Sequence, residues 1–343
     1  MQLRGTVLDA SGWFGVPARA TARAAMASSE PVSIEVLEPS AVALAVLTHD
    51  LHHDDAAFSN RIEVRAGLPW DAPVNAYDHV LLAPPAERGS VRVRTELMAA
   101  AAAVCEAGAV WVLLDRDLGA KRYLKEAATW FGQVNIVARD GGMRLAELRS
   151  PLHREMPNPW STVEADTPFD GHELGTVPGC WSPDRIDPGT RVLLEELGAH
   201  APVTSGQAVL DIGCGWGPLA RWAVDQGANV TALDDDLAAV RSCERNVPEA
   251  RCFHQDATIH EPVEGFDCVL VNPPFHVGKG VRVALGEAIV RSAIRACKPG
   301  GDVWVVANQA LAYGALAQAL GAEVREMALR NGFRVLRLRP TRP

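Results

Sequence analysis

Apolar runs of strand length alternate with amphipathic, helix-like stretches through the second half of the chain. AVLDIG is followed by LARWAVDQG, NVTALD by LAAVRSCERN, and DCVLVNPP by a helix through ALGEAIVRSAIRAC, after which DVWVVA closes the series. This alternation predicts an open α/β sheet that binds ligands at the carboxyl ends of its strands. Upstream, from about Arg149 to Pro178, the pattern lapses. Pro151, Pro157, Pro159 and Pro168 stand among Asn158, Ser161 and Thr162 with no apolar period, the signature of a linker. The expected division is a domain over 1–150, a linker over 151–178 and a second domain over 179–343.

The first half repeats the second. VLDASGWFG from Val7 lines up with VLDIGCGWG from Val209, and IEVLEPSAVALAV from Ile34 with VTALDDDLAAVRS from Val230, which sets Glu38 on Asp234. YDHVLLAPP from Tyr77 matches FDCVLVNPP from Phe266, VWVLL from Val110 matches VWVVA from Val303, and Gly142-Met143-Arg144-Leu145 matches Gly332-Phe333-Arg334-Val335. Five segments in one order, at nearly constant spacing, indicate one fold written twice. The copies differ where chemistry is expected. Ser11 and Trp13 replace Gly213 and Gly215, and Ala83 replaces Asn272. A tryptophan in a loop whose backbone must approach a ligand blocks it, so the first copy is expected to keep the fold and lack the ligand.

Composition narrows the class. With 343 residues, 48% hydrophobic and 22% charged, the chain can bury two cores and is not a disordered one. No apolar run is long enough to span a bilayer and the N-terminus lacks signal-peptide order, so no membrane association and a cytoplasmic location are expected. Seven cysteines without a CxxC pair argue against a zinc site or a disulfide framework. The cluster His52-His53-Asp54-Asp55 reads as a solvated loop, and no metal is expected. A net charge of -9 runs against a nucleic-acid partner, which favours a basic face. Arg325, Arg330, Arg334, Arg337, Arg339 and Arg342 near the end offer a candidate phosphate-contacting strip, with a solvated strand face as the plain alternative.

The loop Asp211-Ile212-Gly213-Cys214-Gly215-Trp216-Gly217 follows a strand and opens a helix, the context that makes a glycine pattern informative. Asp234 ends the next strand, placed for ribose hydroxyls, and Asp256, with Ala257 beside it, follows the third apolar stretch, placed for an adenine amino group. A dinucleotide needs a pyrophosphate at the helix N-terminus. Asp211 instead suits the cationic amino-acid end of S-adenosylmethionine. Asn272-Pro273-Pro274-Phe275 ends a further strand. Two prolines hold the backbone extended and remove two N–H donors, leaving carbonyl oxygens free. A base amino group there would donate one hydrogen to the Asn272 side-chain oxygen and one to the Pro273 carbonyl, turning its lone pair toward the methyl. Such a nitrogen is a weak nucleophile, so positioning and charge stabilisation carry the catalysis. Phe275 would stack on the base, worth about 1–3 kcal/mol; His276 is a candidate proton acceptor, with a structural role as the alternative.

With these residues assembled, the chain resembles the bacterial ribosomal RNA guanine-N2 methyltransferases of the RsmC and RlmG family over almost its whole length. The resemblance is carried by Pro178-Gly179-Cys180-Trp181-Ser182, Asp187-Pro188-Gly189-Thr190, VLDIGCGWG, NPPFH with Gly278, and VANQALAY with Gly332-Phe333-Arg334-Val335. The first segment and the VAN ending bring it closer to the RsmC type. It implies two tandem Rossmann-like class I methyltransferase domains, the N-terminal copy degenerate and serving as scaffold or RNA-recognition domain. It implies N2 methylation of one guanine in 16S ribosomal RNA, with the 30S subunit as partner, and places Trp181, Asp187 and Thr190 near the methionine end of the cofactor. A monomer is expected. Trp216 and Pro218 depart from the small or aliphatic residues expected around the loop. The alternatives are a 23S RNA target, methylation of a protein glutamine at N5 or of DNA adenine, and a non-catalytic RNA-binding or ribosome-assembly module. A preference for Tyr after the prolines counts against the glutamine enzymes, the lack of a separate target-recognition domain against the DNA enzymes, and the intact Gly213, Gly215, Asp234 and Asn272 against the non-catalytic reading.

Overall fold

The computed structural model describes residues 3–28, 31–163, 169, 172–200, 202–259, 265–274, 276–277, 280–281 and 283–341. The chain divides into two compact units, Met1–Trp160 and Ser161–Pro343. In the first, β1 (Gly5–Asp9), β2 (Val32–Glu38), β3 (Ile62–Ala66), β4 (Tyr77–Leu82), β5 (Val104–Asp115), β6 (Phe131–Asp140) and β7 (Met143–Pro151) form one sheet in the order β3-β2-β1-β4-β5-β7-β6. β3 through β5 run parallel; β7 is antiparallel to both β5 and β6.

After a short antiparallel pair, β8 (Ser161–Thr162) with β9 (Gly175–Thr176), the second unit repeats this plan. Its strands are β10 (Ala208–Ile212), β11 (Asn229–Asp234), β12 (Arg251–His254), β13 (Phe266–Val271), the hairpin β14 (His276–Val277) and β15 (Gly280–Val281), β16 (Cys297–Asn308), β17 (Ala322–Arg330) and β18 (Phe333–Pro340). The main sheet has the order β12-β11-β10-β13-β16-β18-β17, strand for strand that of the first.

Parallel strands with helices on both faces bury every side chain, which is why they read as continuous apolar runs. Along β13, Cys268 and Leu270 join one core cluster while Val269 and Val271 join the other. In β1, Val7 and Leu8 divide between two clusters in the same way. The duplication extends to single hydrogen bonds. Asp78 Oδ2 accepts from Thr6 N at 2.8 Å, and Asp267 Oδ2 from Ala208 N at 2.9 Å. Ser40 caps one helix and Asp236 its counterpart, each accepting a backbone N–H of the first turn.

Two sequence expectations change. The stretch expected as a linker over 151–178 belongs from Ser161 onward to the second unit. Val163, Phe169, Leu174 and Val177 are buried there, and the side chains of the helix Leu237–Asn246 hold the backbone: Asn246 bonds Gly175 through both N and O, at 2.8 and 2.9 Å, and Ser242 Oγ accepts from Val177 N at 3.2 Å. These tertiary bonds fix Gly175 and Val177, which no local periodicity announces. His52 and His53 end the helix Ala41–His53 rather than lying in a loop, Asp54 pairs with Arg19 at 2.8 Å and Asp55 caps the next turn. Among the described residues no helix is long and apolar enough to cross a membrane.

Candidate active site

In the second unit the carboxyl ends of four parallel strands lie side by side, with Ile212 paired to Leu233 and Val271, and Asp234 to His254. Each strand hands its next residues to one edge of the sheet, where the expected site residues collect. After β10 the chain turns into the helix Pro218–Asp225 through Gly213 (φ +74°) and Gly215 (φ +55°). Side chains are disfavoured at such angles by roughly 1–2 kcal/mol, and a Cβ added to either glycine would meet nothing within 4 Å. That side of the loop is open space. Gly217 faces the opposite way, and its added Cβ would strike Cys243 Sγ and Val247 at 2.9 Å.

The first unit takes a different path through its loop. There the left-handed positions are Gly12 (φ +65°) and Phe14 (φ +53°) before Gly15, so Ser11 and Trp13 escape the angles that Gly213 and Gly215 adopt.

Asp211 lies beneath the loop and not on its open face. It is 0% exposed; Oδ2 accepts from Ala220 N at 3.0 Å, and Oδ1 has no hydrogen-bond partner among the described residues. Asp9 is equally buried and accepts from Ala18 N at 2.8 Å. The same carboxylate thus fastens the strand to the helix in the copy without the glycines, which assigns Asp211 to bracing the loop. Burial, opposed by the Ala220 bond and reinforced by the charge of Asp234, pushes its pKa from 3.8 up to about 7. The folded chain therefore holds a proton there that the unfolded chain releases above about pH 4, so stability falls as pH rises from about 4 to 7. At roughly 1.4 kcal/mol per pH unit the loss reaches about 4 kcal/mol. Asp211→Asn, which keeps an acceptor for Ala220 N, is expected to flatten the fall in melting temperature between pH 4.5 and 8 measured without ligand; an unchanged slope would assign the effect to other groups.

Asp234 Oδ2 accepts from Gly215 N at 3.0 Å and Oδ1 from Asp236 N at 2.9 Å, so it couples the glycine loop to the end of β11. Asp256 Oδ1 is taken up by Thr258, through N at 2.6 Å and Oγ1 at 2.7 Å, and its second oxygen has no partner among the described residues. Ala257 is buried and its carbonyl accepts from Ser292 Oγ at 2.6 Å, which fixes the turn that carries Asp256.

Asn272 follows β13. Its Nδ2 donates to Asp187 Oδ2 and to Thr190 Oγ1, both at 2.9 Å. Both amide hydrogens are engaged, so the orientation is fixed: a flipped amide would set its oxygen against a carboxylate. Oδ1 is left without a partner among the described residues, available to a donor. Asp187 also accepts from Thr190 N at 3.1 Å as the cap of the helix Pro188–His200, and from Trp181 Nε1 at 3.1 Å. Gly189 packs closely between them, since its added Cβ would meet Asp187 at 3.0 Å and the Phe333 ring at 3.1 Å. The sequence placed Trp181, Asp187 and Thr190 near a cofactor through resemblance alone. The bonds from Asn272 to Asp187 and Thr190, and from Trp181 to Asp187, were missed, as was the place of Phe333 beside Gly189, and the cap-like DPGT pattern was the available signal.

Trp216 turns away from the open side. It is buried, its Nε1 donates to Ser182 O at 3.2 Å, and its ring meets Phe169 edge-on at 6.2 Å. Pro273 is buried and Pro274 exposed, while Phe275 and the side chain of His276 lie outside the described residues. The arginine strip is largely neutralised. Arg337 and Arg339 pair with Asp302 at 2.7 and 3.2 Å, Arg330 with Glu195 and Glu196 at 2.7 and 3.0 Å, and Arg334 with Glu326 at 2.7 Å; Arg342 lies outside the described residues.

The profile of the methyltransferase small domain matches residues 1–147 and 171–337. The ribosomal RNA small subunit methyltransferase C of Chromohalobacter salexigens is 31% identical over 252 residues, 72% of this chain and 74% of that protein. Its namesake from Alcanivorax borkumensis is 27% identical over 323 residues, 91% of this chain and 95% of that one. The solved T. thermophilus 16S rRNA N2 methyltransferase RsmC, in complex with AdoMet and guanosine, superimposes with a TM-score of 0.84 at 30% identity, covering 99% of this chain and 89% of that one.

Proposed function

The chain belongs to the methyltransferase small domain family, and from that premise we propose that it transfers a methyl group from S-adenosylmethionine to the exocyclic N2 amino group of a guanine in 16S ribosomal RNA. The observation that carries the reading is the fixed Asn272 amide, whose two hydrogens are held by Asp187 and Thr190 so that its oxygen can accept only from a donor such as an amino group. Relatives named for this activity support the RNA class and the cofactor.

S-adenosylmethionine, when bound, supplies an electrophilic methyl group. Gly213 and Gly215 leave the room it needs, Asp234 offers acceptors to ribose hydroxyls and Asp256 its free oxygen to the adenine amino group. Asp187, Thr190 and the exposed Trp181 border the amino-acid end, while Asp211 braces the loop from below. Asn272 Oδ1 and the Pro273 carbonyl receive the two hydrogens of the guanine amino group and direct its lone pair in line with the methyl. As positive charge develops on that nitrogen, the Asn272 dipole, backed by the Asp187 carboxylate, stabilises it. Phe275 is assigned to stack on the base. The protein acts as a monomer in the cytoplasm on the 30S subunit, without a metal, and the first unit serves as scaffold or RNA-recognition domain.

The test incubates the protein and tritiated S-adenosylmethionine with 30S subunits, 50S subunits and a release factor in separate reactions. Label in 16S RNA that digests to N2-methylguanosine is expected. Label confined to 50S subunits moves the target to 23S RNA, and label on the release factor or nowhere overturns the RNA reading.

A further inference from the structure

The first unit contains a cavity of about 430 Å³, lined among others by Ser11, Trp13, Thr21, Ala83, Trp111 and Leu145. Ser11 and Ala83 follow β1 and β4, at the edge of the sheet where the second unit has Gly213 and Asn272. The hollow has a structural origin. In the second unit the helix Pro188–His200 packs on β16 and β18 and leaves Trp304, the counterpart of Trp111, fully buried; among the described residues the first unit has no such helix. The volume lies within the range of small-ligand pockets.

Three observations say what the cavity takes. Ser11 is 7% exposed, and its hydroxyl lies beside the buried Asp9 carboxyl group, where its oxygen keeps acceptor capacity for a donor on a ligand. Among the described residues no charged side chain lines the walls, which disfavours a phosphate or a free amino acid in the interior. Trp13 and Phe14 are 44% and 48% exposed in the loop at the mouth, and Phe14 is held at the strained φ of +53°, a cost retained where a loop presents its side chains for use. A flat, uncharged group with apolar faces and a polar edge meets all three conditions.

We propose that this cavity holds one unstacked base of the RNA substrate, stacked on Trp13 and hydrogen-bonded through its edge to Ser11 Oγ, with the sugar-phosphate chain left outside. The proposal rests on the RNA reading above. The copy that gave up the glycine loop and Asn272 then contributes a second foothold, for a base that is not methylated. Base-on-aromatic stacking is tolerant of sequence, so this foothold adds affinity more than it selects a nucleotide.

The test uses the full chain and the ribosomal RNA that the wild type methylates. Trp13→Ala is expected to raise KM for RNA about ten-fold, with kcat at saturation and the Kd for S-adenosylmethionine unchanged; Trp13→Phe, which keeps a ring, restores most of the loss, and Ser11→Ala gives a smaller rise. An unaltered KM in Trp13→Ala overturns the proposal, and so does a loss of cofactor affinity in step with KM, which would mark a fold defect. If Trp13→Ala changes self-association instead of KM, the hollow docks protein and the proposal is overturned. A wild type that methylates no ribosomal RNA removes the RNA reading alone. The cavity is then judged by titrating guanosine and uridine monophosphates against protein carrying 5-fluorotryptophan: a resonance assigned to Trp13 shifts if the cavity takes a base and stays fixed if it does not.

Discussion

Asn272→Ala is expected to lower kcat by about 10²- to 10³-fold, the range for removing one preorganised dipole from a reacting centre, while the Kd for S-adenosylmethionine stays within about two-fold. Among the described residues the hydrogen-bond partners of its side chain are Asp187 and Thr190. Its loss removes the acceptor for the amino group, while the bonds that fix Asp234 to the glycine loop, Asp256 to its turn and Asp187 to Thr190 and Trp181 do not involve it. Asn272→Asp should be no rescue, because the new carboxylate has no hydrogens to give Asp187 and would lie against a like charge. Asp187→Ala and Thr190→Val, which loosen the amide without deleting it, should each cost less, about ten-fold. Single-turnover methyl transfer separates these cases from slow product release. Near-normal transfer by Asn272→Ala would sink the proposed role of the residue.

Gly215→Trp, which gives the second unit the residue found in the first, should abolish cofactor binding, with Kd rising beyond 100-fold by calorimetry. The added side chain would project into open space beside the loop, where a ligand and a tryptophan cannot coexist. It would also sit at φ +55°, costing roughly 1–2 kcal/mol of stability, a strain that Trp13 avoids through the altered path of its own loop. Gly215→Ala shares the backbone strain but not the bulk, and should weaken binding only about ten-fold. If the Trp variant binds normally, the open side of the loop is not where the cofactor lies.

Much of the architecture was legible because parallel strands must be apolar throughout. The runs at Val209, Val230, Cys268 and Val303 announced the sheet, and their echoes at Val7, Ile34, His79 and Val110 announced the duplication, which the structure carries down to the Asp78 and Asp267 braces. What stayed hidden depends on residues distant in the chain. Gly175 and Val177 look unplaced in the sequence because Asn246 and Ser242, which bond their backbone, lie in another helix. The arginine strip looked basic because Asp302 and Glu195, which pair with it, lie in other elements. The grip of Asp187 on Asn272 spans 85 positions, beyond the reach of any local pattern. Asp211 looked like a ligand contact because its position in the motif is right, while its complete burial is a property of packing.

The identical strand order of the two sheets bears on how the chain is made. No strand of the first sheet comes from beyond Trp160, so that unit can close on the ribosome before the second has been translated, with β1 waiting for β4 to complete the centre of the sheet. Two copies of one topology on a single polypeptide also invite strands to enter the wrong sheet, the characteristic misassembly of tandem domains. Divergence between the copies, of which Thr6 against Ala208 in β1 and β10 is a small instance, gives each strand neighbours its counterpart does not match. Sequence drift between two sheets of one topology thus lowers the chance that a strand of one is taken up by the other.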